Sequence, residues 1–280
     1  MNKLDSHIFR NFCRFCLIVL ALPLVAHASL PQSSSVPGGI AVVPLASLTN
    51  TGKPQAWLGD QPVLVKADHD AWYAIVGLAL DISPGEHELR VNTDNAAIVQ
   101  NFIVNKKEYP VQRIRLKDKS KVELSPADLA RAESELSVIN GYKQYWHDTP
   151  DNDLAFVIPA QGELSSHFGL RRFFNGEPRA PHAGIDLAVS RGTPVMASAA
   201  GTVLATDDYF FNGKTIFIDH GNGLITMYCH LDEFDVQPGQ TVSKGQLIGL
   251  SGMTGRATGP HLHWSVILNG AMVDPELFVQ

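Results

Sequence analysis

The sequence predicts a mainly β protein of two domains joined by one helix, and three observations carry that prediction. Short apolar runs rich in β-branched and aromatic residues recur between turn residues. From residue 162 onward glycine punctuates the chain, at Gly162, Gly169, Gly192, Gly201, Gly213, Gly221, Gly223, Gly239, Gly245, Gly249 and Gly270, and no amphipathic helix of useful length fits between them. Only one stretch, 125–148, opens with a helix-start signal. With 280 residues, 45% of them hydrophobic and 18% charged, the chain can bury one large core or two modest ones.

Residues 1–28 have the form of a secretory signal peptide. Lys3, Arg10 and Arg14 precede an apolar run from Phe15 to Val25, and Ala26-His27-Ala28 follows with small residues at its first and third positions. The run is shorter than the roughly 20 apolar residues of a membrane span, so cleavage after Ala28 is expected, with no stable membrane insertion afterwards. Cleavage removes three basic residues and one acidic residue, Asp5, which takes the net charge two units below −6, to about −8. A mildly acidic body argues against nucleic acid as the main partner. Cys13 and Cys16 leave with the signal, so Cys229 has no intrachain disulfide partner. Thr226, Tyr228 and His230 alternate with Met227, Cys229 and Leu231. On a strand the thiol then faces the apolar side, away from His230, and is expected in the core.

After a Ser- and Pro-rich stretch from Pro31 to Pro37, residues 37–120 read as a β-domain. Val63-Leu64-Val65, Trp72-Tyr73-Ala74-Ile75-Val76 and Phe102-Ile103-Val104 are strand-like, and Ser83-Pro84-Gly85-Glu86 marks a turn. A small β-sandwich is expected. Basic residues gather from Lys106 to Lys121, with Arg113, Arg115, Lys117 and Lys119 at alternate positions. A solvated edge strand or linker accounts for them more simply than a stripe gripping an anionic polymer. Ser125-Pro126-Ala127-Asp128 then starts the connecting helix, 125–148, with a hydroxyl cap, a proline at the first helical position and a carboxylate three residues after the cap. Leu129, Ala132, Leu136, Ile139 and Trp146 recur along it at roughly helical spacing, and Pro150 ends it. Residues 153–280 should form an antiparallel β-domain built from hairpins.

Within that domain five residues suit a hydrolytic metal site: His182, Asp186, His230, His261 and His263. An even separation keeps two residues on one face of a strand, so His182 and Asp186 share a side, as do His261 and His263. The β-carbons of the latter pair would lie roughly 6–7 Å apart. One imidazole can therefore bind a metal while the other handles a proton one shell away. Hydrolysis of an unactivated amide at neutral pH needs a strong nucleophile, and zinc provides one by acidifying water to a pKa of about 7. Three protein ligands and one open position are usual, and two histidines with one carboxylate leave the site net positive. His182, Asp186 and His263 are candidate ligands, with His230 and His261 as acid/base or oxyanion-stabilising groups; on spacing alone His261 could equally be the ligand. His220, in Asp219-His220-Gly221-Asn222-Gly223, reads as turn chemistry. His167 stands apart from the cluster, and His69, His87 and His147 read as structural.

The region from about Phe156 to Phe278 resembles the lysostaphin-type, or LytM-like, zinc metallopeptidases that cut peptide cross-links in bacterial peptidoglycan. The resemblance rests on His182-Ala183-Gly184-Ile185-Asp186, Gly192-Thr193-Pro194-Val195, Ala200-Gly201-Thr202-Val203, His220-Gly221-Asn222-Gly223, Tyr228-Cys229-His230-Leu231 and Thr258-Gly259-Pro260-His261-Leu262-His263, in the family's order. It implies that His182, Asp186 and His263 are the Zn2+ ligands and that His230 and His261 are the two catalytic histidines. Phe168-Gly169-Leu170-Arg171 matches a further segment near the groove, with Arg171 structural rather than catalytic. Residues 37–115 resemble the β-domain that precedes the peptidase in one group of Gram-negative members. The resemblance implies an exported endopeptidase acting on stem-peptide cross-links, in the Gram-negative setting at D-alanyl to meso-diaminopimelate bonds; the acidic mature charge and the absence of a recognisable wall-targeting repeat fit a periplasmic enzyme better than a secreted lysin, and secretion stays open. It also leaves two other expectations open. A module without activity would activate cell-wall amidases or bind the wall, and an N-terminal domain over the groove would inhibit the site intramolecularly.

Overall fold

The structure, a computed structural model, describes residues 30–47, 52–94, 96–115 and 124–279. The expected signal peptide lies outside the described residues, as do Lys117 and Lys119 of the basic run. Among the described residues no helix is long and apolar enough to cross a membrane.

Six antiparallel strands form the first domain: β1 (Ile40–Ser47), β2 (Gln55–Leu58), β3 (Gln61–Asp68), β4 (Ala71–Gly77), β5 (Gly85–Asn92) and β6 (Ala97–Val104), in the order β1-β4-β3-β2-β5-β6. The sheet curls until β1 meets β6, and it encloses a core that includes Val43, Val63, Val65, Val76, Leu89 and Phe102. The three apolar runs of the sequence lie within β3, β4 and β6. Strand β5 follows the turn at 83–85 and is not announced by an apolar run, because of its residues only Leu89 and Val91 are buried.

Beyond this sheet the chain enters β7 (Val111–Ile114), which is an edge strand as the alternating basic residues suggest, although its neighbour belongs to the other domain. Helix α1 (Pro126–Lys143) follows, with Ser125 Oγ accepting from the backbone N–H of Asp128 at 3.1 Å. The helix is shorter than 125–148, and Trp146 lies past its end. Its buried side is also narrower than the spacing predicts: Ala132 and Ile139 are buried while Leu129 and Leu136 are 47% and 53% exposed. The two buried residues are seven apart, so α1 touches the neighbouring sheet along one thin seam rather than a broad stripe.

The second domain comprises β8 (Glu163–Ser166), β9 (Arg171–Phe174), β10 (Glu177–Pro178), β11 (Ile185–Ala188), β12 (Pro194–Met196), β13 (Gly201–Tyr209), β14 (Gly213–Asp219), β15 (Leu224–Phe234), β16 (Thr241–Val242), β17 (Leu247–Ser251), β18 (Leu262–Leu268) and β19 (Ala271–Val273). The main sheet runs β16-β13-β14-β15-β18-β11-β8 and is antiparallel; β12, β17 and β19 pair along its flank. A small sheet, β10-β9-β7, carries β7 parallel to β9. Strand β15 is buried on both faces. Tyr228 and Leu231 belong to the main core, while Met227 and Cys229 pack with Ile139 of α1. Strict alternation therefore breaks between 228 and 231, where the register shifts against β14. Cys229 is buried as expected, and burial pushes its thiol up to about 12.

The two domains share one core, in which Ile40, Leu64 and Ile75 join Phe156, Leu268 and Val273. Asn269, in the turn between β18 and β19, grips the end of β4. Its Oδ1 accepts from the Gly77 N–H at 2.6 Å and its Nδ2 donates to the Gly77 carbonyl at 3.0 Å. Lys66 of β3, also buried, donates to the Asn152 carbonyl at 2.6 Å and pairs with Asp151.

Candidate metal centre

The ladder itself brings two of the five residues together. Strands β11 and β18 place Asp186 directly opposite His263. His182 reaches them from the loop before β11, not from the strand that the even spacing suggests. That loop packs so closely on β18 that a β-carbon at Gly184 would lie 2.5 Å from both the Ser265 Oγ and the Trp264 carbonyl oxygen, which accounts for glycine in the middle of the motif. His261 forms an isolated bridge with Gly252 just before β18 starts.

Three atoms converge. His182 Nε2 and Asp186 Oδ1 are 3.0 Å apart, His263 Nδ1 and Asp186 Oδ1 are 2.8 Å apart, and the two imidazole nitrogens are 3.0 Å apart. The surrounding bonds fix what these atoms can be. The Nδ1 of His182 donates to the His167 carbonyl at 2.7 Å, and since a carbonyl only accepts, Nε2 carries a lone pair. His263 Nε2 contacts Ser265 Oγ at 2.9 Å. Asp186 Oδ2 accepts from Arg172 Nη2 at 3.1 Å. With neutral imidazoles, at most one proton is available for three mutually facing donor atoms. A cation resolves that conflict, and one carboxylate with two imidazoles is a donor set zinc favours, so the residues present fit it.

The remaining two histidines stand beside this trio. The rings of His230 and His261 lie 4.7 Å apart, and His230 is 6.1 Å from the His263 ring. Each commits Nδ1 to a backbone carbonyl, His230 to Thr254 at 2.9 Å and His261 to Gly259 at 2.8 Å, so each leaves Nε2 with a lone pair. The Nε2 of His261 is 3.9 Å from Asp186 Oδ1. His230 occupies the left-handed region at φ +63°, at the point where β15 loses its alternation. Its N–H donates to the Asn212 carbonyl at 2.9 Å, which holds the bulge.

Burial is the largest influence on His182 and His230. It lowers His182 below the ordinary imidazole value, and it lowers His230 to about 3 with help from the nearby His261 and His263. Burial pushes Asp186 the other way, upward, but the hydrogen bonds of His182 and His263 outweigh it and hold the carboxylate far below its usual range.

Asp186, His230, His261 and His263 line a groove of about 770 Å³. Gln112, Ile114 and Arg115, from β7 and just beyond it, form one wall. His220 lies elsewhere. The positive φ angles of its turn fall on Gly221, Asn222 and Gly223, while its buried ring braces the Ala200 carbonyl at 2.7 Å and Thr226 Oγ1 at 2.9 Å. The exposed side chain of His167 takes no part in the trio, although its carbonyl does. His69 and His87 are remote from the groove, and His147 pairs with Asp219.

Sequence reasoning passed over Arg172, Ser265 and Arg256. Arg171 is exposed, whereas the next residue along β9 turns inward to Asp186. Alternation along β9 is the signal that separates the two arginines.

Residues 180–275 match the model of peptidase family M23, and residues 33–107 match that of the peptidase family M23 N-terminal domain. Over 120 residues the chain is 44% identical to the peptidoglycan DD-endopeptidase ShyA of Vibrio cholerae, which covers 42% of this chain and 28% of that protein. Over 112 residues it is 42% identical to the DD-carboxypeptidase/endopeptidase Mpg of Neisseria meningitidis, covering 40% of this chain and 26% of that one. The matched part thus spans only about a quarter of these curated relatives. A solved structure from Pseudomonas aeruginosa, assigned to peptidase M23, is 40% identical with a TM-score of 0.74, and the match covers 89% of this chain and 96% of that one.

Proposed function

The chain belongs to peptidase family M23, and on that premise we propose that it is a zinc-dependent endopeptidase that hydrolyses peptide cross-links of bacterial peptidoglycan, at the bond from D-alanine to meso-diaminopimelate. In this reading His182, Asp186 and His263 hold Zn2+, and His230 and His261 are the catalytic histidines. The observation that carries it is the trio of donor atoms 2.8–3.0 Å apart, which holds more lone pairs than protons. Zinc bound there supplies Lewis acidity, acidifying water and polarising a carbonyl oxygen.

The chain's own groups supply the rest. With Nδ1 tied to a carbonyl, the neutral ring of either His230 or His261 offers Nε2 as an acceptor for a proton released in the attack, and the charged ring can return that proton to the leaving amine. Arg172 keeps Asp186 oriented with Oδ1 toward the two ligand imidazoles. The basic, apolar and small residues at the N-terminus, together with relatives named for peptidoglycan hydrolysis, support export to the periplasm.

Incubating purified sacculi with the protein and identifying released fragments by mass spectrometry tests the reading. His182→Ala should lose both stoichiometric zinc and fragment release; His261→Ala should keep zinc and release nothing. Full activity in either variant would sink the mechanism. A module that only activates amidases or binds the wall would instead show no stoichiometric zinc and no fragments in the unaltered protein.

A second reading concerns restraint of the site by the N-terminal domain, and it is supported by the wall that Gln112, Ile114 and Arg115 build along the groove. A chain beginning at Asp153 should then release fragments faster than one that keeps β7. Equal rates would count against it.

A further inference from the structure

The imidazoles of the cluster differ in what holds the nitrogen on their far side. His182, His230 and His261 each commit Nδ1 to a backbone carbonyl, at 2.7, 2.9 and 2.8 Å. A carbonyl only accepts, so each of these rings, when neutral, is held in one tautomer. His263 is held differently. Its Nε2 lies 2.9 Å from the Ser265 hydroxyl, and a hydroxyl accepts or donates as its surroundings require.

Strand β18 places this hydroxyl. Residues 263, 265 and 267 share one face, and Ile267 packs there with Met227 and with Ile139 of α1. Ser265 is fully buried, directly opposite Met227 of β15. The loop above it carries Gly184, where a β-carbon would lie 2.5 Å from Ser265 Oγ and 2.8 Å from His263 Cε1. Glycine between His182 and Asp186 therefore leaves room for both members of the pair.

On its other side His263 Nδ1 faces Asp186 Oδ1 at 2.8 Å and His182 Nε2 at 3.0 Å. The carboxylate and His182 Nε2 both bring lone pairs, so the metal-free trio escapes repulsion only when His263 Nδ1 carries the proton. Nε2 is then an acceptor, and Ser265 has to donate to it. A bound cation reverses each requirement. Nδ1 must offer a lone pair, the neutral ring carries its proton on Nε2, and Ser265 has to accept. A carbonyl or carboxylate in place of this hydroxyl would serve only the second state, and an N–H group only the first.

We propose that Ser265 is a positioning residue whose hydroxyl reverses its hydrogen bond with His263 Nε2, donating when the trio is empty and accepting when it holds Zn2+. The proposal rests on the reading of the trio as a zinc site. The ring gives up its proton at Nδ1 and takes one at Nε2, with water as carrier, so its charge does not change. No heavy atom has to move, and the backbone that presents the ligands is the same in both states.

The test uses the full chain with 15N-labelled histidine at pH 8, well above the ordinary imidazole value. Long-range 1H–15N correlation reads the tautomer of His263, whose signals are identified by their loss in His263→Gln. The proton should sit on Nδ1 in the metal-free protein and on Nε2 once zinc is added. Competition with a chelator of known affinity then measures zinc binding. Ser265→Ala leaves the Nε2–H of the loaded site buried without an acceptor and should weaken binding about ten- to hundredfold. Ser265→Thr keeps the hydroxyl and should restore most of that loss. A proton on Nε2 in both states, a doubly protonated His263 in the metal-free protein, an affinity unmoved by Ser265→Ala, or a loss that Ser265→Thr leaves in full overturns the proposal. The tautomer measurement needs no substitution at 265, so it decides the matter even where a variant fails to fold. Failure of the zinc reading shows differently: the unaltered chain then takes up no stoichiometric zinc, and the proposal falls with it, while His263 still carries its proton on Nδ1.

Discussion

Replacing Asn269 by alanine should cost the protein about 3–7 kcal/mol, through two separable effects. The first is the loss of both bonds to Gly77. Asn269 is 7% exposed, and its amide satisfies the N–H and the carbonyl of a buried residue at 2.6 and 3.0 Å. A buried backbone group left without a partner costs about 1–3 kcal/mol, so two cost about 2–6. The second is conformational: Asn269 sits at φ +42°, and a residue with an ordinary β-carbon pays roughly 1 kcal/mol more than asparagine to stay there. Glycine at 269 removes the bonds but relieves the backbone, so Asn269→Gly should recover about 1 kcal/mol of the alanine deficit and no more. Urea unfolding of the full chain, followed by tryptophan fluorescence, measures all three proteins. Because one core joins Ile75 to Leu268 and Val273, the domains should unfold together in the unaltered chain. An Asn269→Gly protein within about 0.5 kcal/mol of the unaltered one would refute the reasoning, because the brace would then contribute nothing beyond what water provides.

Other predictions address the site and the core. Arg172→Met should weaken zinc binding about ten- to hundredfold, as loss of a ligand's supporting hydrogen bond commonly does; competition with a chelator of known affinity reads this, and an unchanged affinity contradicts the assigned role. His220 is buried with its pKa below the ordinary imidazole value, chiefly through burial. Only the unfolded chain takes up that proton readily, so stability falls as the pH drops through about 6.5, by at most about 1.4 kcal/mol per pH unit for this group. His220→Asn should be less stable at pH 7.5 but lose less on acidification to pH 5, and parallel melting curves against pH would count against the linkage. Cys229, with its thiol pushed up to about 12, should react with a thiol reagent only after denaturation. Labelling of the native protein at pH 8 on the minute scale would show that the pocket opens.

The residues of the candidate metal centre are legible in the sequence because strand periodicity and ligand chemistry act over short distances. His261 and His263 lie two apart and both line the groove, and the pairing of Asp186 with His263 is what two adjacent antiparallel strands produce. The route by which His182 arrives is not legible: it comes from a loop held against β18 by the absence of a side chain at Gly184, a contact between segments about eighty residues apart. The choice between Arg171 and Arg172 turns on one step of strand register. Helix α1 shows the same limit. Its start is written locally in Ser125 and Asp128, but which of Leu129, Ala132, Leu136 and Ile139 become buried depends on how closely a separate sheet approaches. The departure at Tyr228 and Leu231 arises from one extra residue in β15, which no alternation rule anticipates. Strand β7 gives no hint in its own residues that its neighbour is β9.

The left-handed backbone of His230 restricts how this protein can change over evolutionary time. A position at φ +63° accepts glycine, asparagine, aspartate and histidine far more readily than branched or bulky residues. Of those, only histidine brings an imidazole to the groove. If His230 is the catalytic histidine proposed above, a lineage that gives up hydrolysis but keeps the fold has an inexpensive exit at this one codon, since asparagine or glycine fits the bulge and keeps the hydrogen bond to Asn212 while the ring disappears. Return is equally short. On the proposed reading, a change at residue 230 alone would then separate a cutting enzyme from a protein of the same fold that lacks this ring.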